Sequence, residues 1–163
     1  MKKIILLNLL ISMLLFGCRP ENFKPVGEAN NYMALFPGTY KLTSVVQSDV
    51  KALKNNYPYR SLDVTSMFPY TDFEITLNSN GSAPGAFTTK KGNSPDVIRL
   101  AAGNWSVDNT EAPKMMYFVN GTDSVRIEIA NYTGFRNNKL NLRLVKYLDG
   151  KAVTNYDYEF TKN

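Results

Sequence analysis

From Gly38 to the C-terminus, apolar and polar residues alternate with a period of two. Successive side chains of a strand point to opposite faces, so this pattern buries one face of a sheet and wets the other. Phe73, Ile75 and Leu77 alternate with Asp72, Glu74 and Thr76. Val125, Ile127 and Ile129 alternate with Ser124, Arg126 and Glu128, and Leu140, Leu142 and Leu144 with Asn141 and Arg143. Between these runs stand Asn80-Gly81, Lys91-Gly92-Asn93-Ser94-Pro95, Asn120-Gly121 and Asp149-Gly150. Asn-Gly tolerates the positive φ of a type I′ turn, so residues 78–81 read as a hairpin. The pattern predicts an all-β fold of roughly eight antiparallel strands, as an up-and-down barrel or a two-sheet sandwich.

Some segments carry less regular signals. Residues 32–35 read as a short helical turn, ended by Pro37-Gly38. Residues 97–102 and 104–108 read as one strand kinked at Gly103. Residues 48–71 separate the first two strands by an unusually long connection, and such a loop is usually functional or locally structured. Within it, residues 61–68 are predicted to form a short helix capped by Asp63 and stopped before Pro69.

The N-terminus carries a different message. Lys2 and Lys3 precede an almost wholly apolar run over residues 4–16. A basic start followed by a short apolar run is the form of a secretory signal peptide, and the run is too short to span a hydrocarbon core of ~30 Å. The end of the run, Leu15-Phe16-Gly17-Cys18, resembles the lipobox of bacterial lipoproteins. That resemblance implies a leader over residues 1–17, lipid attachment at Cys18 and a tether over residues 18–31 that joins the anchor to a domain over residues 32–163. Acyl chains anchor firmly because each buried CH₂ contributes about 0.8 kcal/mol. The expected location is the cell envelope, anchored to the outer membrane on its periplasmic or surface side.

Composition removes several chemistries. The 163 residues contain no His and one Cys. Ser–His and Cys–His catalysis lack a base, Cys/His zinc sites lack ligands, and a disulfide lacks its second thiol. The net charge is +5, and two of the cations, Lys2 and Lys3, belong to the leader. No Lys/Arg stripe marks a nucleic-acid surface. Glu74, Glu128 and Glu159 fall on the polar phase of their strands, so no carboxylate pair is expected in a cleft. No loop matches a calcium pattern. No catalytic residue, metal or cofactor is expected.

The segment Phe36-Pro37-Gly38-Thr39-Tyr40-Lys41-Leu42 resembles the lipocalin opening, a Gly-x-Trp at the first strand after a helical turn, with Tyr40 where lipocalins have Trp. Residues 66–70 before the strand at Phe73, and Gly103-Asn104-Trp105-Ser106-Val107, are similar to the lipocalin-like domain lipoproteins of Gram-negative gut-type bacteria. The resemblance covers about residues 32–160. It implies a single, roughly eight-stranded antiparallel up-and-down barrel with a short helix before its first strand and a long first loop.

Two questions of function follow. Tyr40, Phe73, Trp105, Tyr117, Phe118, Tyr156, Tyr158 and Phe160 either fill the barrel or leave some rings at its mouth. Tyr57, Tyr59, Met67, Phe68 and Tyr70 make the long loop either a lid or partner patch, or a plug. These five residues and Trp105 are the candidate ligand contacts. The expected function is a monomeric, non-catalytic module holding a small apolar or amphipathic ligand at the barrel mouth. The alternative is an interaction lipoprotein that docks a membrane or cell-surface complex through residues 48–71.

Overall fold

The computed structural model describes residues 32–55 and 60–163. Among them, nine strands form one sheet: β1 Gly38–Asp49, β2 Ser61–Asp63, β3 Glu74–Asn80, β4 Ala83–Lys90, β5 Ala102–Val107, β6 Met115–Asn120, β7 Asp123–Asn131, β8 Lys139–Leu148 and β9 Lys151–Lys162. Each strand from β3 to β9 pairs antiparallel with the next, and β1 pairs with both β3 and β9. That closes an eight-stranded barrel, consistent with a lipocalin-like architecture. β2 is the extra strand, held on the upper part of β1 through Val46↔Asp63 to Ser48↔Ser61.

Closure depends on the length and bending of β1. Its first residues, Gly38 to Lys41, pair with β3, and the strand then continues along β9 as far as Asp49. A β-bulge between Leu42 and Ser44 shifts the inward phase. Tyr40 and Leu42 are buried before it and Val45 after it. Bulges increase local twist and let one strand serve two neighbours at different heights.

The hairpins show how the turn residues act. Only Asp149-Gly150 has positive φ at both loop positions, as type I′ requires. At Asn80-Gly81 the expected type I′ turn is not formed. Asn80 stays in β3, and Gly81 alone, at the first loop position, takes positive φ. Gly103 in β5 lies at φ +154, where a Cβ would stand 2.1 Å from the Val119 carbonyl oxygen. β5 and β6 approach too closely there for a side chain.

Two other predictions are corrected. Residues 61–68 do not form a helix: Ser61–Asp63 is a strand, and a short 3-10 turn follows at Tyr70–Asp72. Asp63 does not cap a helix; its carboxylate accepts the Thr65 N–H at 2.9 Å. Residues 97–101 are not strand, and β5 begins at Ala102. Val97 and Ile98 are both buried, which no single strand face allows for adjacent residues. The first long connection also holds a short helix, α1, over Val50–Asn55, where Asp49 accepts the Ala52 N–H at 2.7 Å.

Side chains fill the barrel. Tyr40, Leu42, Phe73, Ile75, Leu77, Phe87, Met116, Phe118, Ile127, Leu140 and Phe160 are each fully buried. Phe87 and Phe118 meet edge to face at 4.9 Å, within the range such pairs favour. Tyr117 has the opposite parity to Phe118 and is only half-buried, so it is not one of the interior rings.

One end is sealed by aromatics. The 3-10 turn at Tyr32–Ala34 and a second at Thr133–Asn137 close over it. Phe36 packs against Phe135 at 4.9 Å and Trp105 at 5.6 Å, and Tyr32 against Tyr132 at 5.0 Å. The Tyr40 hydroxyl lies 3.0 Å from the Leu35 carbonyl and 2.9 Å from that of Phe36. The far end, with α1, β2, residues 91–101 and the β6–β7 and β8–β9 turns, is the mouth.

Candidate functional site

Among the described residues, two segments roof the mouth. The first runs from β2 to β3 along the edge of β1. The Val64 N–H donates to the Val45 carbonyl at 3.0 Å, and the Val45 N–H to Thr65 Oγ1 at 2.8 Å. The Leu42 N–H donates to Phe73 O at 3.0 Å. This strap therefore continues the β1 ladder between β2 and β3. Its side chains divide: Val64, Tyr70 and Phe73 turn inward and are buried, while Met67 and Phe68 remain 56% and 54% exposed. Leu62 on β2 is 51% exposed.

The second roof segment is residues 91–101. The Lys91 ammonium pairs with Asp96 at 2.6 Å, the Thr89 hydroxyl donates to Leu100 O at 2.9 Å, and Asp72 accepts the Asn93 N–H at 3.2 Å. These bonds press Val97, Ile98 and Leu100 into the barrel end.

An opening lies beside this roof. The β7–β8 ladder runs from Asn131↔Asn141 and ends at Glu128↔Arg143, whereas β8 stays with β9 up to Leu148↔Lys151. Where the ladder stops lies a cleft of about 410 Å³ lined by Asp96, Val97, Arg99, Ser124, Val125, Leu144 and Lys146. Its volume falls in the usual range for small-molecule sites. Val97, Val125 and Leu144 make its apolar floor. Asp96, Arg99 and Lys146 make its rim. The Arg99 guanidinium donates to the Ser124 carbonyl at 3.2 Å, which spans the cleft from roof to β7.

Below this level Tyr156 and Tyr158 stack at 6.3 Å with 14° between ring planes. Burial pushes the Tyr158 phenol well above its ordinary range, and the neighbouring Tyr70 and Tyr156 add to it. Burial also raises Tyr70, with Tyr156 second. Three phenols thus form the upper layer of the filled barrel.

A second cleft, of about 350 Å³, lies on the outer wall across β1, β7, β8 and β9. Its charges are matched. Arg143 grips Asp157 in two bonds of 2.6 and 3.0 Å, and Lys139 pairs with Glu159 at 2.7 Å. The hydrogen bond to Asp157 raises the Arg143 pKa. Bidentate Arg–carboxylate pairs are geometrically specific, and here they brace the wall beside the point where β7 and β8 part.

The candidate contacts read from the sequence do not gather in one place. Trp105 is 2% exposed at the sealed end, with its indole N–H donating to Asn78 O at 2.7 Å. Tyr70 is buried in the roof, and Met67 and Phe68 face outward from it. Tyr57, Tyr59 and Cys18, the residue expected to carry lipid, lie outside the described residues. The cleft residues were not among the candidates. Lys146 was the available signal: it continues the inward phase of Leu140, Leu142 and Leu144 and marks where that phase leaves the core. Among the described residues, no helix is long and apolar enough to cross a membrane, and no group of three Asp, Glu, Cys or His stands together as a metal cluster.

No protein-family model, curated protein or solved structure matches this chain.

Proposed function

We propose that this protein is a non-catalytic binding module that holds a small amphipathic ligand at the open end of its barrel. It is exported and held in the cell envelope by lipid on Cys18, like the lipocalin-like lipoproteins it resembles. The observation that carries the reading is the 410 Å³ cleft with an apolar floor and charged rim, set above an interior already filled by side chains. A ligand sits at the mouth, on Val97, Val125 and Leu144, not within the barrel.

Titration with 1-decanol, followed by the methyl resonances of the protein, tests this. Saturable shifts confined to Val97, Val125 and Leu144, lost in Leu144→Glu, are expected. No saturable shift, or shifts centred on Leu42 and Ile127, contradicts the proposal. For the anchor, Cys18→Ser releases the protein from membranes; continued membrane binding refutes lipidation.

One observation favours a second reading. Leu62, Met67 and Phe68 are large apolar side chains left exposed at the mouth, as at protein interfaces. In that reading the strap docks an envelope protein. Pull-downs with Phe68→Ser separate the two: loss of a partner favours docking, and unchanged partners end it.

A further inference from the structure

The rim of the mouth cleft is unequal in charge. Three charged residues line it: Asp96, Arg99 and Lys146. The Asp96 carboxylate is already taken by Lys91, with Nζ at 2.6 Å, a residue that does not line the cleft. Arg99 uses one N–H on the Ser124 carbonyl and has further donors. Among the described residues, neither Arg99 nor Lys146 pairs with a carboxylate. The cleft therefore presents two free cations beside three apolar side chains.

The two cations also have defined places relative to the floor. Lys146 stands two residues above Leu144 on the same phase of β8, a separation of ~7 Å along the strand. Arg99 is held against β7 by its bond to Ser124, next to Val125. A ligand lying on Val125 and Leu144 meets a cation on each side of the parting between β7 and β8.

We infer that the ligand of this cleft carries a single anionic head group, a carboxylate or phosphate, on an apolar body, with Arg99 and Lys146 holding the head. This rests on the mouth-binding proposal and goes further in naming the chemical class. Charge-assisted hydrogen bonds are the stronger kind, and the guanidinium fork matches planar carboxylate oxygens.

Three probes of equal chain length test it on the full chain: decanoate, 1-decanol and decyltrimethylammonium, titrated at low salt with the methyl resonances of Val97, Val125 and Leu144 as reporter. Decanoate is expected to bind about tenfold or more tighter than 1-decanol, and decyltrimethylammonium weakest. The double variant Arg99→Gln/Lys146→Gln brings decanoate close to 1-decanol, by weakening decanoate far more than 1-decanol. Equal binding of decanoate and 1-decanol overturns the anionic-head inference while the mouth site stands. Tighter binding of decyltrimethylammonium also overturns it. Failure of all three probes to bind at these methyls removes both. Because both substituted side chains are exposed, the amide spectrum of the double variant is expected to match the parent away from the cleft.

Discussion

Tyr40 joins the two halves of the sealed end. Its ring fills the barrel, and its hydroxyl reaches the carbonyls of Leu35 and Phe36 in the segment that closes the bottom. Burial pushes its pKa from 10.0 up to about 12. The folded value lies above the unfolded one, so the stabilisation is complete below pH 10 and is lost as pH rises through about 12. Tyr70 and Tyr158, both raised by burial, act in the same direction. Tyr40→Phe is expected to cost about 1 kcal/mol near neutral pH. It should also flatten the alkaline decline, read from urea unfolding at roughly pH 8 and pH 11. A decline as steep as in the parent contradicts this role. The inward phase of Tyr40 was legible in Phe36-Pro37-Gly38-Thr39-Tyr40. Its hydroxyl partners were not, because carbonyls become acceptors only once the turn has folded back over the ring. Trp105 shows the same limit. Its apolar, in-phase position was readable, but nothing local says whether such a ring lies at the sealed end or the open one.

The strap between β2 and β3 has two faces with different energetic roles. Tyr70 is buried against the upper tyrosine layer, whereas Phe68 touches it edge to face at 5.8 Å from outside. Tyr70→Ala is expected to cost about 3 kcal/mol, and Phe68→Ser to stay within about 0.5 kcal/mol, in chemical denaturation. Equal costs would mean that Phe68 is also structural. Gly103 makes the complementary case within β5. Gly103→Ala needs a positive φ and a Cβ on top of the Val119 carbonyl, so a loss of at least about 2 kcal/mol is expected. A neutral result would show that β5 and β6 can separate there. Period two located most strands well, because a half-buried sheet writes its own alternation. It missed β2, whose Ser61-Leu62-Asp63 is too short to display a period and is defined by pairing with β1. It also assigned residues 97–101 to a strand, since a run of Val97-Ile98 and Leu100 beside β5 has strand composition. Their burial comes from plugging an opening, a tertiary role with no sequence period. The cleft residues were hidden for the same reason, being assembled from a roof segment and the tops of β7 and β8.

At the scale of the whole molecule, the barrel is polar along its axis. The described chain begins at Tyr32 in the sealed end, and the cleft lies at the other. The proposed anchor on Cys18 would precede the sealed end in the chain, and the proposed ligand cleft lies at the opposite pole. Closure and filling are separate achievements. β1 closes the sheet by pairing with β9, the interior side chains fill it, and a cleft remains at the mouth where β7 and β8 part. Closure is the premise for everything above it, since an open sandwich would leave β1 and β9 as edges and the roof without a rim. Native-state amide hydrogen exchange tests this directly. The amides of residues 44–49 and 154–159 that bond across the β1–β9 seam are expected to be as protected as those of β3 and β8, while residues 61–63 on the β2 edge exchange rapidly. Rapid exchange of those seam amides, with protection kept in the β8–β9 ladder, would mean that the barrel is not closed.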